Sequence, residues 1–261
     1  MNSVLDLAGI QYDIIWEDKE KNFVTVKNLI SKISFQDGLI VLPETFATGF
    51  TMQAEKFSES QLGATENFLL EQAKTSKNLI AAGWIEKNPD GKPFNTLSIA
   101  SPNGEILYRY RKIHSFSLAG EDIHFSAGNQ TLNFILNGFK ISPLICYDLR
   151  FPEIFRENAD SDLFIVIANW PETRIDHWLS LLKARAIENQ AYVLGVNRIG
   201  IAGRKNFLNH NGNTVLYDWN GKETKANLNA EECLFAKINL EELKEAREKL
   251  PFLKDRKKNQ S

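Results

Sequence analysis

The chain of 261 residues is 43% hydrophobic and 25% charged, a balance that is typical of a globular protein and excludes a fibrous or largely disordered one. Its formal net charge of −2 at pH 7 gives no electrostatic reason to expect nucleic acid as a partner. No apolar run reaches the length that spans a bilayer, and the two cysteines, Cys146 and Cys233, exclude a disulfide framework and paired zinc-binding spacings. We therefore expect a cytoplasmic protein without a membrane partner.

Four nearly continuous apolar runs of strand length predict strands that are buried on both faces. In chain order they cover residues 39–42, 141–145, 163–168 and 192–196. Between them, apolar residues recur at helical spacing around Phe68, Leu69 and Ala73, and again across residues 176–190. Strands that alternate with helices in this way predict an α/β fold.

Two hairpins are predicted in addition. Residues 94–100 and 105–112 are joined by a turn that contains Asn103 and Gly104, and residues 206–208 and 214–217 are bridged by Asn211 and Gly212. Asn-Gly is a strong signal for a tight turn between antiparallel strands. The sheets should therefore be mixed, with parallel and antiparallel pairs.

The last predicted elements are a strand over residues 233–238 and a helix that Pro251 ends. One face of this helix would carry Leu240, Leu243, Ala246 and Leu250. No internal repeat, linker or sharp change of composition divides the chain. We therefore predict a single domain over residues 1–261 with a basic tail at its end.

Polar residues stand where the predicted strands end: Glu44, Lys112, Cys146 and Asn169. In open α/β sheets, functional groups gather at the carboxyl ends of the strands, so these side chains are expected to converge. Considered singly, Glu44 could be a helix cap or a surface carboxylate, Lys112 one more charge in a basic run, and Cys146 an inert buried thiol. Only their combination favours a catalytic site.

Cys146 is the candidate nucleophile. Pro152 predicts that a helix begins directly after it, so the helix dipole and a nearby lysine would favour its thiolate, and the N–H of Tyr147 could hold an oxyanion. A serine-hydrolase elbow, a Gly-rich phosphate loop and a dinucleotide fingerprint are absent from the sequence. The histidines lack the spacing of a helical metal pair; they are His114, His124, His177 and His210. We therefore expect neither a metal nor an organic cofactor.

Several segments, taken in order, resemble the nitrilase superfamily of carbon–nitrogen hydrolases. They are Leu-Pro-Glu at 42–44, Tyr-Arg-Lys at 110–112, Cys-Tyr-Asp-Leu-Arg-Phe-Pro-Glu at 146–153, Asn-Trp-Pro at 169–171 and Ala-Arg-Ala-Ile-Glu-Asn at 184–189. The resemblance extends over essentially the whole chain. It implies an α-β-β-α sandwich, a homodimer, and a C-terminal segment of about residues 251–261 that reaches the partner subunit.

The resemblance also implies a catalytic triad of Glu44, Lys112 and Cys146, with a second structural glutamate that best matches Glu121. This last assignment rests on the position of Glu121 ahead of the Phe-Ser-Ala-Gly segment at 125–128. Asp122 is the competing residue, and a helix-capping role for Glu121 is the alternative.

Within the superfamily, the segment Asn-Trp-Pro-Glu-Thr-Arg at 169–174 resembles the bacterial omega-amidase branch. The resemblance implies a small-molecule amide substrate, a dicarboxylic acid monoamide such as 2-oxoglutaramate or succinamate. Its contacts are expected to include Tyr147, Phe116, Trp170 and Arg174, with Arg174 binding the free carboxylate. Arg150 is a rival for that role, unless it forms a structural ion pair with Asp148 or Glu153. The alternatives are an amidase for deaminated glutathione, another aliphatic amidase, and a catalytically silent interaction protein.

Overall fold

The computed structural model describes residues 4–203 and 207–257, and its first half builds one sheet with helices on one side. The elements are β1 (Val4–Gln11), α1 (Lys19–Ile30), β2 (Leu39–Val41), α2 (Ala54–Phe57), α3 (Ala64–Ser76), β3 (Leu79–Glu86), β4 (Phe94–Ala100) and β5 (Ile106–Arg111). Strands β1, β2 and β3 are parallel, whereas β4 runs antiparallel to both of its neighbours, β3 and β5. The C-terminal strand β14 (Glu232–Asn239) pairs antiparallel with β1 at the edge of this sheet, which gives the order β14-β1-β2-β3-β4-β5.

The second half of the chain builds another six-stranded sheet, a small two-stranded sheet of β10 and β11, and the edge strand β14 of the first sheet. The elements of this half are α4 (Glu121–His124), β6 (Phe134–Leu136), β7 (Phe139–Ile145), α5 (Pro152–Glu157), β8 (Leu163–Ala168), α6 (Ile175–Asn189), β9 (Tyr192–Asn197), β10 (Ile199–Ala202), β11 (Leu208–Asn211), β12 (Val215–Tyr217), β13 (Glu223–Lys225), β14 (Glu232–Asn239) and α7 (Leu240–Lys249). The strand order is β13-β12-β9-β8-β7-β6, in which β7, β8 and β9 are parallel and the others antiparallel. Both sheets are therefore mixed, as predicted.

The two sheets pack face to face, because alternate residues of each strand point into a shared apolar core. Leu7 and Val41 of the first sheet belong to the same buried cluster as Ile165 of the second. The opposite face of the first sheet packs under α1 and α3, whereas α5 and α6 cover the second sheet. The layers are helix, sheet, sheet and helix, which confirms the predicted α/β sandwich.

The apolar runs become strands within one or two residues of their predicted ends, and the helix predicted over residues 176–190 is α6. The hairpin at Asn103 and Gly104 is confirmed as β4–β5. The second predicted hairpin is wrong, since β11 pairs with β10 while β12 pairs with β9 and β13. The backbone N–H of Thr214 donates to Gln11 Oε1 of the first sheet at 3.0 Å, and the next residue, Val215, already pairs with β9. Asn206 lies outside the described residues.

The C-terminal strand and helix are confirmed as β14 and α7, and the helix ends immediately before Leu250 and Pro251. Residues 252–255 form a 3₁₀ turn, and residues 258–261 of the predicted tail lie outside the described ranges. Within those ranges, none of the helices has the length and apolar character that would let it cross a membrane.

Candidate active site

The ends of four strands bring polar side chains together at one edge of the sandwich. Glu44 lies three residues beyond β2, Lys112 directly follows β5, Cys146 follows β7 and Asn169 follows β8. Glu44 is fully buried, and Lys112 is 3% exposed. Neither is a surface charge, so the interpretations that treated each as an isolated solvated residue do not hold.

The Lys112 ammonium lies between two carboxylates. Its Nζ donates to Glu44 Oε1 at 3.1 Å and to the two carboxylate oxygens of Glu121 at 3.0 and 2.8 Å. Burial by itself would lower the pKa of Lys112, but the charges of Glu121 and Glu44 outweigh it and raise the pKa above its usual value. The lysine therefore remains protonated.

Glu121, and not Asp122, is the second carboxylate of this cluster. Glu121 is 1% exposed, whereas Asp122 beside it faces solvent. Besides Lys112, Glu121 accepts a hydrogen bond from the backbone N–H of Phe116 at 2.6 Å. This second contact ties the loop ahead of α4 to the lysine, so Glu121 links a wall of the site to its charged centre.

The Glu44 carboxylate is saturated with donors. Its Oε1 also accepts from the Asn95 amide at 2.8 Å, and its Oε2 accepts from the backbone N–H of Asn169 at 2.9 Å. Burial alone would raise the pKa of Glu44, but the Lys112 charge and these donors lower it below its usual value. Glu44 is consequently ionised at neutral pH and can accept a proton.

Cys146 occupies a strained elbow between β7 and a 3₁₀ helix over Cys146–Arg150. Its φ of 47° lies in the left-handed region, which costs a residue with a side chain about 1–2 kcal/mol. Asp148 holds the elbow, because its Oδ2 accepts from Tyr110 Oη at 2.8 Å and from the Ile145 N–H at 3.1 Å. Its Oδ1 accepts from the His114 N–H at 2.9 Å. The buried carboxyl group of Asp148 therefore fixes the turn that carries the candidate nucleophile.

The pKa of the Cys146 thiol contradicts the expectation of a stabilised thiolate. Burial and the charge of Glu44 raise this pKa well above its usual value, and the charge of Lys112 only partly offsets them. The α-helix that Pro152 begins is six residues further along, so its dipole does not act at the sulfur. The resting site thus holds a neutral thiol beside an ionised carboxylate.

A cavity of about 500 Å³ opens onto Cys146 and Lys112. The four expected substrate contacts all line it: Phe116, Tyr147, Trp170 and Arg174. The Arg174 guanidinium lies 5.5 Å from the Phe116 ring centroid, and the Trp170 Nε1 donates to the Arg174 carbonyl at 2.7 Å. The structure therefore places these residues on one wall, within reach of the same ligand.

Arg150 also lines the cavity, and the ion pair considered for it with Asp148 or Glu153 does not form. The oxygens of Asp148 are occupied by other donors, and the Arg150 guanidinium lies 4.8 Å from the Trp170 ring centroid instead. Within residues 4–203 and 207–257, neither Arg150 nor Arg174 forms an ion pair with a carboxylate. The Arg150 Nη2 lies 3.3 Å from the His177 Nδ1. The wall of the cavity thus carries two guanidinium groups that no carboxylate of the described residues neutralises.

The match to known proteins decides the family. The model of the carbon–nitrogen hydrolase family matches residues 6–248. The chain belongs to this family. The resemblance to the nitrilase superfamily is thereby confirmed, and the protein is an enzyme that hydrolyses carbon–nitrogen bonds.

Relatives of this carbon–nitrogen hydrolase match it over nearly their whole length. The omega-amidase YafV of Yersinia enterocolitica is 39% identical over 256 residues, which cover 97% of each chain. The 2-oxoglutaramate amidase of Bacillus subtilis (strain 168) is 34% identical over 97% of this chain and 98% of its own. Among solved structures, XC1258 from Xanthomonas campestris, a CN-hydrolase superfamily protein with an arsenic adduct in its active site, superposes with a TM-score of 0.92 at 31% identity over 98% of each chain.

Sequence reasoning missed some residues of the site in this carbon–nitrogen hydrolase. Asn95, on β4, bridges Glu44 and Glu121, and the only signal for it was an amide within a predicted strand. His210 of β11 lines the cavity, and burial together with the charge of Arg198 lowers its pKa to about 4, so it is neutral. In the described ranges, no group of three or more His, Cys, Asp or Glu side chains is placed to hold a metal ion.

Proposed function

We propose that this carbon–nitrogen hydrolase is an omega-amidase, which releases ammonia from small dicarboxylic acid monoamides such as 2-oxoglutaramate and succinamate. One observation carries the proposal. The cavity is lined by the Cys146 thiol and by the Lys112 ammonium, which donates to the buried Glu44 carboxylate. Its wall also carries the guanidinium groups of Arg150 and Arg174, which no carboxylate of the described residues neutralises. A monoamide of a dicarboxylic acid has a neutral amide at one end and a carboxylate at the other, which matches this distribution of charge. The names of the relatives from Yersinia enterocolitica and Bacillus subtilis agree with it.

In the first half of the reaction, Glu44 takes the thiol proton while the Cys146 sulfur attacks the amide carbonyl carbon. The carbonyl oxygen becomes an oxyanion, which Lys112 and the N–H of Tyr147 stabilise. The Tyr147 N–H lies in the first turn of a 3₁₀ helix, where backbone donors have no partner within the helix. The C–N bond then breaks, Glu44 returns its proton to the leaving nitrogen, and ammonia departs from a thioester.

In the second half, water attacks the thioester carbon and Glu44 takes the proton of that water. The tetrahedral intermediate collapses, the C–S bond breaks, and the proton returns to the Cys146 sulfur. One carboxylate therefore acts as base and acid in turn in each half of the reaction. Because the pKa of Glu44 is lowered and that of Cys146 is raised, the proton stays on the sulfur in the resting site. It therefore passes to Glu44 only as the sulfur attacks the substrate.

The free carboxylate of the substrate is proposed to bind Arg174. A guanidinium can hold a carboxylate through two parallel hydrogen bonds, and the Phe116 ring supports this one from the side. Arg150 is the second candidate, because Trp170 and Tyr147 flank it and no carboxylate of the described residues neutralises it.

The test is ammonia release from a panel of amides by the wild-type enzyme and by Cys146→Ala. We expect turnover of 2-oxoglutaramate and succinamate, much weaker turnover of the uncharged amide butyramide, and no turnover by the variant. Retained ammonia release by Cys146→Ala would refute the mechanism. Arg174→Met should raise KM for succinamate but leave KM for butyramide unchanged, and an unaltered KM for succinamate would remove Arg174 from the carboxylate site.

A second candidate function is hydrolysis of deaminated glutathione, a longer amide. Deaminated glutathione belongs in the panel because the cavity, at about 500 Å³, is larger than the volume that a five-carbon acid fills. The ratio of kcat/KM for deaminated glutathione to that for 2-oxoglutaramate decides between them.

The protein is further proposed to be a single-domain cytoplasmic homodimer in which the segment of residues 251–261 reaches the partner subunit. Leu250 and Phe252 support the role of this segment, since 63% and 45% of their surfaces are exposed in the single chain. Sedimentation of the full chain and of a variant that ends at residue 250 tests the proposal. A dimer is expected for the first, and a larger monomer fraction for the second.

A further inference from the structure

Asn95 is the one neutral side chain that contacts both carboxylates flanking Lys112 among the described residues. It lies on β4, is 2% exposed, and donates through Nδ2 to Glu44 Oε1 at 2.8 Å and to Glu121 Oε1 at 2.9 Å. Its backbone carbonyl accepts from the Lys112 N–H at 2.9 Å. One residue therefore touches the base, the second glutamate and the segment that carries the lysine.

The orientation of the Asn95 amide is fixed by this arrangement. If the amide were rotated, its oxygen would face two carboxylate oxygens and repel both. With Nδ2 between the carboxylates, Oδ1 is buried and has no donor within the described ranges.

Two carboxylates in one buried site normally compete, since the ionisation of one raises the pKa of the other. Here the Oε1 atoms of Glu44 and Glu121 are bridged twice, by Lys112 Nζ and by Asn95 Nδ2. A single cation between two carboxylates leaves a net charge of −1. The amide donates two further N–H groups without adding a charge, so it favours the ionised form of Glu44 beside the second carboxylate.

We propose that Asn95 is a positioning residue that keeps Glu44 ionised and aimed at Cys146 in the presence of the second glutamate. The inference rests on the proposed function, in which Glu44 is the base. The other ionisable groups that face Glu44 are Lys112, Glu121 and Cys146, each from a different element. Asn169, which follows β8, is neutral. Asn95 is thus the neutral side chain that donates to both glutamates and favours the ionised form of Glu44.

The experiment measures the rate at which iodoacetamide alkylates Cys146 as a function of pH, in a Cys233→Ser background so that one cysteine reacts. Asn95→Leu has a similar volume but donates nothing. Loss of one hydrogen bond to a charged group shifts an ionisation by about one to two pH units. We expect the acid limb of the alkylation profile, and of kcat/KM for 2-oxoglutaramate, to move upward by about this amount, with kcat affected more than KM.

The matched control is Asn78→Leu. Asn78 is also buried and also donates twice through Nδ2, to the carbonyls of Phe35 and Ser76, but it lies before β3 at the opposite end of the sheet. This variant should lose stability and keep the wild-type acid limb. Asn95→Ser, which retains one donor, should give an intermediate shift and serves as the second variant if Asn95→Leu does not fold.

An acid limb that stays at its wild-type pH in the folded Asn95 variants would overturn the proposal, as would an equal shift in Asn78→Leu. Alkylation requires no amide substrate. If the wild-type enzyme releases no ammonia from any monoamide while the Asn95 variants still shift the alkylation profile, the proposed substrate is wrong and the role of Asn95 stands.

Discussion

Removal of the Lys112 ammonium is expected to affect stability and activity in separable ways. In Lys112→Met, Glu44 and Glu121 remain buried without a cation. Breaking a buried ion pair from one side costs about 3–5 kcal/mol, because a charge is left uncompensated. For a chain of this size, the free energy lost corresponds to a decrease in melting temperature of about 6 to 20 °C. The loss of an oxyanion donor should lower kcat by at least about a hundredfold.

The stability difference between Lys112→Met and the wild type should depend on pH. In the wild type, the pKa of Glu44 is below its usual value, so the stability that Glu44 contributes is present at neutral pH and is lost only as the pH falls through that lowered pKa. Without Lys112, the buried carboxylates gain raised pKa values, and the native variant binds more protons than the unfolded chain. Its stability therefore rises as the pH falls, and the difference from wild type shrinks between pH 8 and pH 5.5.

Urea unfolding, followed by tryptophan fluorescence at both pH values, measures this difference. Adding Glu121→Gln to Lys112→Met removes one of the two stranded charges, so the double variant should recover part of the stability and none of the activity. Lys244→Met, which breaks an exposed pair with Glu241 on α7, is the control and should change stability by at most about 1 kcal/mol. If Lys112→Met unfolds at the wild-type urea concentration at both pH values, the electrostatic argument is wrong.

Two further predictions concern the supports of the site. Tyr110→Phe deletes the buried hydroxyl that donates to Asp148, so the free energy of unfolding should fall by about 1.5–3 kcal/mol in urea titrations; a change below 0.5 kcal/mol, about the limit for surface substitutions, would contradict this. Gly83→Ala places a Cβ 2.8 Å from the Glu44 Cα, which should cost about 1–3 kcal/mol and lower kcat by displacing the base. Gly91→Ala is the control, because its Cβ would meet no atom closer than 3.3 Å, and it should leave stability and kcat unchanged. Equal effects at the two glycines would refute the steric reasoning.

The local sequence determined the strands and helices that carry the site. Continuous apolar runs fixed β7, β8 and β9 closely, because strands buried on both faces need apolar residues at every position. The Asn103-Gly104 turn fixed the β4–β5 hairpin through backbone geometry alone. The second Asn-Gly turn, at Asn211 and Gly212, predicted a hairpin that does not form. The contact between Gln11 and the backbone of Thr214 joins residues far apart in the chain, so no local pattern could predict it.

The sequence also determined which residues meet at the carboxyl ends of the strands. Glu44 and Lys112 follow strands of the first sheet, and Cys146 follows a strand of the second. The strand ends therefore predicted the candidates, and the packing of the two sheets brings them together. The sequence could not determine the ionisation of Cys146. The local pattern suggested a thiolate, whereas burial and the charge of Glu44, which is 102 residues away in the chain, raise the pKa of the thiol.

Only the tertiary structure decided what surrounds those residues. It distinguished Glu121 from Asp122 by burial, placed Arg150 beside Trp170 instead of in the ion pair considered for it, and placed Asn95 between two carboxylates. The physical reason is common to all three. Strand and helix patterns arise from interactions between near neighbours, but the pKa of a group and the partner of a charge depend on the dielectric environment and on groups that only the packing of the two sheets brings within a few ångströms.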